Sequence, residues 1–377
     1  MGKKRANCIV LHIIATSSNG GTERTALRLA DGLRREYGVE NHFAILRAGD
    51  GSILPELTQL TKSPPTYLEF DLGRTRAAIR FAKLIQSLGT TDLAIIFHSF
   101  NISVAILSLI ARLVGGKAMV AKAGNPAPQK KDNPTKRRTY HLALVIATLA
   151  AMPIVASSHW IMRTLTNVGP LPPRSRVIHN GVEVEAIAER ARSMRHMRRG
   201  DTYIVGMVSR FDVIKDHDTL LRTLSQLPAN VRLRLIGDGP TLGRSLQLAE
   251  QLKVDDRVEF LRSRNDVPEQ LGLMDIFVMS TTSQEGFGIA VVEALAAGVP
   301  VIATDVPACR EVLRNGELGV LVPEKNVVEL AAAIRVQGRS TAEQMEIRSK
   351  VIERYYGKEQ MTSAYCQLLG LEPRDQT

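Results

Sequence analysis

The feature that most constrains the fold is an alternation, kept up almost throughout, between short apolar runs and longer stretches of helical period. In the first half CIVLHIIAT, HFAILRA, LAIIFHS, AMVAKAG, PIVASS and SRVIHNGV read as strands, separated by stretches such as RAAIRFAKLIQSLG and NISVAILSLIARLVG. In the second half YIVGMVSRF, VRLRLIGDG, RVEFLRS, DIFVMST, PVIATD and LGVLVP read as strands. HDTLLRTLSQL, TLGRSLQLAEQLK, FGIAVVEALAAG and VVELAAAIRVQ are the helices between them. Such alternation predicts an α/β class, parallel sheets with helices on both faces. A chain of 377 residues exceeds what one core ordinarily serves. Two doubly wound, Rossmann-like domains are expected, residues 1–185 and 186–355, facing across a cleft at the carboxyl ends of their strands. A helical tail over 356–377 is expected to pack back on the first domain. Between the two series AERARSMRHMRRGDT reads as a basic linker with a solvated helix.

The net charge of +11 points to an anionic partner: nucleic acid, an acidic membrane surface or a phosphorylated small molecule. Nucleic acid is disfavoured, because no reading motif is present and no aromatic residues are interleaved with the basic run. Cys8, Cys309 and Cys366 are odd in number and far apart, with neither a disulfide framework nor metal-ligand spacing, which suits a reducing cytosol. The opening MGKKRANCIVLHIIATSSNGG imitates a signal peptide. His12 interrupts its apolar run, however, and Gly20-Gly21 lead at once into an amphipathic helix, so a first strand, loop and helix is the better reading. A myristoylation pattern fails at Ala6. The longest apolar stretch, LALVIATLAAMPIVA, is broken by Pro153 and reads as a buried helix followed by a buried strand rather than a membrane span. A cytoplasmic protein is expected, with contact to the inner face of the membrane as the minority reading.

Three stretches carry chemistry. In SSNGGTERTALRLA a strand runs through Gly20 and Gly21 into a helix, which aims backbone N–H groups at the cleft mouth. No G-x-G-x-x-G follows this strand, so a dinucleotide oxidoreductase is disfavoured. In VGMVSRFDVIKDHDTLL, Arg210 follows a buried strand and Lys215 stands just before the next helix, a geometry suited to clamping a diphosphate. Asp216 and Asp218 read as helix-start residues rather than metal ligands. In SQEGFGIAVVEALAAG, Glu293 sits in a helix otherwise apolar on every side, and Glu285 precedes it across a glycine-flanked turn. An unpaired buried carboxylate costs several kcal/mol, so each glutamate needs a partner.

These stretches together resemble the retaining GT-B glycosyltransferases of the large E-x7-E family, the family 4-like or group 1 glycosyltransferases. SRFDVIKDHDTLL, EGFGIAVVEALAAGVPVIATD, GGTERTALRLADGL and VIHNGV carry the resemblance, which spans nearly the whole chain. It implies a hexosyltransferase of polysaccharide or lipopolysaccharide biosynthesis, with a nucleotide sugar as co-substrate and no other cofactor. Glu293 would accept hydrogen bonds from the donor ribose and Glu285 would contact the donor sugar. Backbone N–H groups at Gly286, Phe287 and Gly288 would approach sugar and diphosphate. Arg210 and Lys215 would stabilise the leaving nucleoside diphosphate, a task for which fixed cations suffice without a divalent metal. Gly20 and Gly21 would approach the donor phosphate from the acceptor side.

Many relatives carry a histidine after the fourth strand of the first domain, where this chain has VAKAGNPAPQKK. His98 in FHSFN is the nearest substitute, and Asn125 could donate to a substrate hydroxyl. Lys130 and Lys131 lie in a basic loop suited to an anionic lipid surface or a lipid-linked diphosphate acceptor. UDP is the first expectation for the nucleotide and GDP the second. A nucleotide-sugar epimerase and a degenerate nucleotide-binding scaffold are the competing readings.

Overall fold

The computed structural model describes residues 8–372 apart from 62, 90–92, 131, 196, 198–200 and 339–340. The first seven residues, Lys131, Arg198 and Arg199 of the stretches above lie outside the described residues. The chain divides into two compact units, Met1–Gly181 with Lys358–Thr377, and Val182–Gly357.

In the first unit the strands are β1 (Ile9–Ile14), β2 (Glu40–Ile45), β3 (Thr66–Tyr67), β4 (Leu93–Phe97), β5 (Ala118–Ala123), β6 (Ile154–Ala156) and β7 (Arg176–Val177). They form one parallel sheet in the order β3-β2-β1-β4-β5-β6-β7. In the second unit β8 (Tyr203–Val208), β9 (Val231–Ile236), β10 (Val258–Leu261), β11 (Ile276–Met279), β12 (Val301–Thr304) and β13 (Val320–Val322) form a parallel sheet in the order β10-β9-β8-β11-β12-β13. Every residue of β4, β11 and β12 is buried, as expected of parallel strands covered on both faces. In β1 and β4 the side chains divide by the two-residue period. Leu11, Ile13 and Ile95 join one core cluster with Phe81, Phe97 and Leu144, whereas Val10 and Ile96 join another with Leu29, Leu33 and Tyr365.

Tyr365 belongs to the last helix, Lys358–Leu369, which packs on the Gly21–Tyr37 helix of the first unit. Met361, Cys366 and Leu368 are buried with it, and the Lys358 ammonium donates to Asp31 at 3.1 Å. The tail therefore completes the first unit. Its helix begins at Lys358, because the preceding helix, Ala342–Tyr356, belongs to the second unit.

Two expectations need correction. The first part of the basic stretch, 188–195, is not a solvated helix of a linker. It belongs to a packed helix, Val184–Arg195, whose Val184, Ile187 and Ala191 are buried against the Val267–Gly272 and Ile289–Ala296 helices. The unit boundary accordingly falls at 181/182, before this helix rather than within it. The helix Pro134–Leu149 is also less buried than its apolar sequence suggests, since Leu142, Val145 and Leu149 are exposed. Among the described residues, no helix is long and apolar enough to cross a membrane.

In each sheet the strand order reverses beside the first strand of the unit, between β1 and β4 and between β8 and β11. Ligands of open α/β sheets bind at the carboxyl ends of the strands at such switch points. The loops there are 15–20 after β1, with His98 after β4, and 209–216 after β8, with 280–288 after β11. Most of the residues singled out from the sequence fall in these four places.

Candidate active site

In the second unit the loop after β8 is held by its neighbours before any ligand is considered. Asp216 caps the His217–Leu224 helix, accepting from the Thr219 N–H at 3.2 Å and its hydroxyl at 2.6 Å. Its own N–H donates to the Ser280 carbonyl after β11 (3.1 Å). His217 is buried, and its ring stacks on Phe211 with centroids 4.0 Å apart and planes 8° from parallel. Nδ1 donates to the Lys215 carbonyl (2.9 Å), so Nε2 accepts from the Ser209 hydroxyl (3.1 Å). Burial lowers the His217 pKa to about 4, and the ring stays neutral in this role. Across β9, Gly237 (φ 144°) lies so close that a Cβ there would stand 1.9 Å from the Ser209 carbonyl oxygen. Only glycine fits, because backbone meets backbone.

This scaffold presents two cations in different ways. The Arg210 side chain is exposed, with its Nε 3.8 Å from Asp212. Lys215 turns inward and pairs with Oε2 of Glu285, seventy residues on. The other oxygen, Oε1, accepts from the N–H groups of Gly286 (3.1 Å) and Phe287 (3.4 Å). Burial alone would raise the pKa of Glu285. The Lys215 charge and the two N–H donors outweigh it, and the carboxyl lies below its usual range. Two of the three N–H groups expected to meet the sugar and diphosphate, those of Gly286 and Phe287, are thus donated to Glu285 here. Phe287 contributes its side chain to the core, edge-on to Tyr356 at 5.7 Å.

Gly288, with φ 84°, turns the chain into the Ile289–Ala296 helix, a backbone conformation that a side chain would strain. Ala290, Val291, Val292, Ala294, Leu295 and Ala296 are buried, leaving Ile289 and Glu293 as the two positions only partly covered. These stand one helical turn apart on one stripe. Glu293 therefore lies on the open stripe of an otherwise buried helix.

In the first unit Gly20 is the N-cap of the Gly21–Tyr37 helix. Glu23, two residues into that helix, is buried, and a Cβ on Gly20 would stand 2.5 Å from its Oε2. Burial raises the Glu23 pKa against the pull of backbone N–H groups and of Lys122. Lys122, near the end of β5, is itself buried, which lowers its pKa to about 7, with Glu23 opposing the shift.

His98 belongs to a buried chain of polar groups. Asn41 Nδ2 donates to the Ala30 carbonyl (2.9 Å), so its Oδ1 accepts from His12 Nε2 (2.9 Å). His12 Nδ1 is then the acceptor for His98 Nε2 (2.9 Å). His98 is neutral, its pKa pushed well down by burial, then by His12 and Lys122. Its Nδ1 is buried without a hydrogen-bond partner among the described residues. Asn125 and Lys130 are exposed in the loop after β5, and Lys131 is outside the described residues. His12, Asn41, Glu23, Lys122 and His217 were missed from the sequence. His12 was read only as a break in an apolar run.

Two doubly wound parallel sheets, each with its polar residues gathered at a switch point, define a protein of the GT-B fold. Residues 19–186 match the family described as Glycosyltransferase Family 4, and residues 189–351 match Glycosyl transferases group 1. The chain belongs to these group 1, family 4-like glycosyltransferases. It is 33% identical over 183 residues to a D-inositol 3-phosphate glycosyltransferase of Mycobacterium marinum, a match covering 45% of this chain and 38% of that one. It is 24% identical over 322 residues to an N-acetylgalactosamine-N,N'-diacetylbacillosaminyl-diphospho-undecaprenol 4-alpha-N-acetylgalactosaminyltransferase of Campylobacter jejuni, covering 83% and 85%. The match therefore spans well under half of the mycobacterial relative. Among solved structures, Anabaena Alr3699/HepE in complex with UDP-glucose superposes with a TM-score of 0.80 at 21% identity, over 96% of this chain and 99% of that one. At that identity the likeness is one of fold.

Proposed function

We propose that the chain transfers a hexose from a nucleotide sugar, UDP-linked in the first instance and GDP-linked in the second, onto a glycan or lipid-linked glycan, with retention at the anomeric carbon. The observation that carries this reading is the Lys215–Glu285 pair at the β8/β11 switch point, with Arg210 exposed on the same loop. The leaving nucleoside diphosphate develops negative charge, and fixed cations beside oriented N–H groups stabilise it as the glycosidic bond breaks. Arg210 and Lys215 supply that charge, so the transfer needs no divalent metal. Glu285, held ionised, accepts hydrogen bonds from hydroxyls of the donor sugar, and Glu293 accepts them from the ribose.

His98 is neutral with one unprotonated nitrogen, suited to accepting a hydrogen bond from a substrate hydroxyl. Gly20 and Gly21 serve the donor phosphate, and Asn125 and Lys130 serve the acceptor. The names of relatives support the substrate class. The Anabaena protein was solved with UDP-glucose, and the Campylobacter relative is named for a diphospho-undecaprenol acceptor. Our reading is of a cytoplasmic enzyme, with contact to the inner face of the membrane as the second reading, and with no role for nucleic acid.

The test is a donor panel with membrane extract as acceptor source, reading nucleoside diphosphate release and the anomeric configuration of the product by NMR, with and without EDTA. Release from a UDP- or GDP-sugar, retained configuration and indifference to EDTA support the reading. No release from any donor, together with no thermal stabilisation by UDP or GDP, overturns it in favour of a scaffold.

A further inference from the structure

The charge of the chain is not spread evenly. Residues 74–182 contain 15 Lys and Arg against two Asp, at 92 and 132, and no Glu. That surplus exceeds the net charge of the whole protein, +11. Three helices of this segment, Arg74–Leu88, Ile102–Leu113 and Pro134–Leu149, contain no acidic residue at all. They pack side by side, and their inner faces share one core cluster through Phe81, Val104 and Ala143. They form a single layer on one face of the first sheet.

The outer face of that layer is apolar to a degree unusual for a helix surface. Ile106 and Leu113 are exposed on the middle helix, the latter at 79%. On its neighbour Leu142, Val145 and Leu149 recur at helical spacing, with Leu149 at 70%. Single exposed apolar side chains need no explanation, but five on adjoining helices form a patch.

Lys83, Lys117, Lys136 and Arg138 are exposed on the same segment and enter no ion pair among the described residues. Arg76 and Arg80 are partly neutralised by Glu69, and Arg112 donates to backbone carbonyls including Ala150. Lys83, Lys117, Lys136 and Arg138 keep their charge for a partner. Exposed apolar side chains for the acyl boundary, long cationic ones on the same segment and no acid in the three helices form the pattern of a surface that lies on an anionic bilayer. Nucleic acid would reward the cations and leave the leucines in water.

We propose that the outer face of these three helices docks on an anionic lipid bilayer, with Ile106, Leu113, Leu142, Val145 and Leu149 entering the headgroup–acyl boundary and Lys83, Lys117, Lys136 and Arg138 meeting lipid phosphates. This deepens the reading of a membrane-side acceptor, on which it rests, but it is tested without turnover.

The experiment is flotation of the full chain with vesicles of phosphatidylcholine alone or mixed with phosphatidylglycerol, at low and moderate salt. The wild type floats with the mixed vesicles and is released by salt. Lys136→Glu and Arg138→Glu each lower vesicle affinity about fivefold or more, following the usual contribution of one cation near a charged membrane. Leu142→Ser with Leu149→Ser weakens binding even at low salt. A control pair in the second unit, Val336→Ser with Lys350→Glu, leaves binding unchanged.

All these residues are exposed, so melting temperature and stabilisation by UDP stay at wild-type values. Equal binding to neutral and anionic vesicles, or wild-type flotation by the helix variants, overturns the proposal. Lipid binding by a chain that releases no nucleoside diphosphate would sink the transferase reading and leave this one standing.

Discussion

His98 Nε2 donates to His12 Nδ1 across 2.9 Å, and His12 can accept there only because its Nε2 proton is given to Asn41. Three side chains from three strand segments thus fix one another's protonation inside a core, where a charged ring would be costly. The consequence is a pH dependence of stability. His12 has a folded pKa of about 4, against an ordinary value of 6.5, because burial disfavours its charged form. The unfolded chain therefore binds protons that the folded chain refuses. The stability this network contributes is whole above pH 6.5 and is lost as pH falls from there towards 4, by about 3 kcal/mol for His12 alone. His217 behaves in the same way. Urea midpoints measured from pH 7 to 4.5 should fall steadily, and His217→Gln should lessen the slope. A flat midpoint over that range would remove the argument.

The Lys215–Glu285 pair should be fragile to half-deletion. Lys215→Ala leaves a carboxylate buried with two N–H donors and no counter-charge, which costs about 2–4 kcal/mol. Lys215→Met combined with Glu285→Gln should recover most of that stability, since no charge is left stranded. Activity should not follow. Lys215→Ala should lower kcat by about 10²–10³ while changing donor affinity less, because the charge it stabilises appears as the bond breaks. Urea melts and steady-state rates separate the two effects. Equal losses in the single and double variants would show that the pair is not coupled.

Gly237→Ala tests whether the cation loop is held from behind. The new Cβ would stand 1.9 Å from the Ser209 carbonyl, in a backbone conformation that side chains avoid. A loss of about 3 kcal/mol is expected. Gly243→Ala is the contrast. That glycine is an exposed helical position with nothing within 4 Å, and alanine there should stabilise by about 0.5–1 kcal/mol. Thermal or urea melts of the two variants should move in opposite directions.

What could be read from the sequence follows from how local each signal is. LAIIF in β4 and VIAT in β12 announce themselves because a strand buried on both faces needs an unbroken apolar run. The two-residue strand β3 carries no such run and is not among the expected strands, whereas β7 lies inside the expected SRVIHNGV strand, of which Arg176 and Val177 are the strand residues. The Val184–Arg195 helix was misread because arginines interleave its apolar stripe, although Val184, Ile187 and Ala191 keep helical spacing. Arg210, Lys215, Glu285 and Glu293 stand out as local motifs, but the pairing of Lys215 with Glu285 joins positions seventy residues apart and exists only in the folded chain. The same holds for His12, Asn41 and His98. Each was an isolated polar residue in a strand pattern until the sheet brought them together.

Glu293 offers the sharpest separation of a binding role from a structural one. It shares with Ile289 the only partly covered stripe of its helix, so its removal opens no cavity in the core. Alanine is also the better helix former. Glu293→Ala should therefore keep the stability of the ligand-free protein within about 1 kcal/mol of wild type. A carboxylate accepting from ribose hydroxyls contributes about 1.5–3 kcal/mol as a charged hydrogen bond, so UDP affinity should fall roughly 10- to 100-fold. Isothermal titration with UDP, alongside melts with and without it, reads both quantities on one sample. Wild-type UDP affinity in a normally stable Glu293→Ala protein would remove the ribose role and leave the donor ribose without its acceptor.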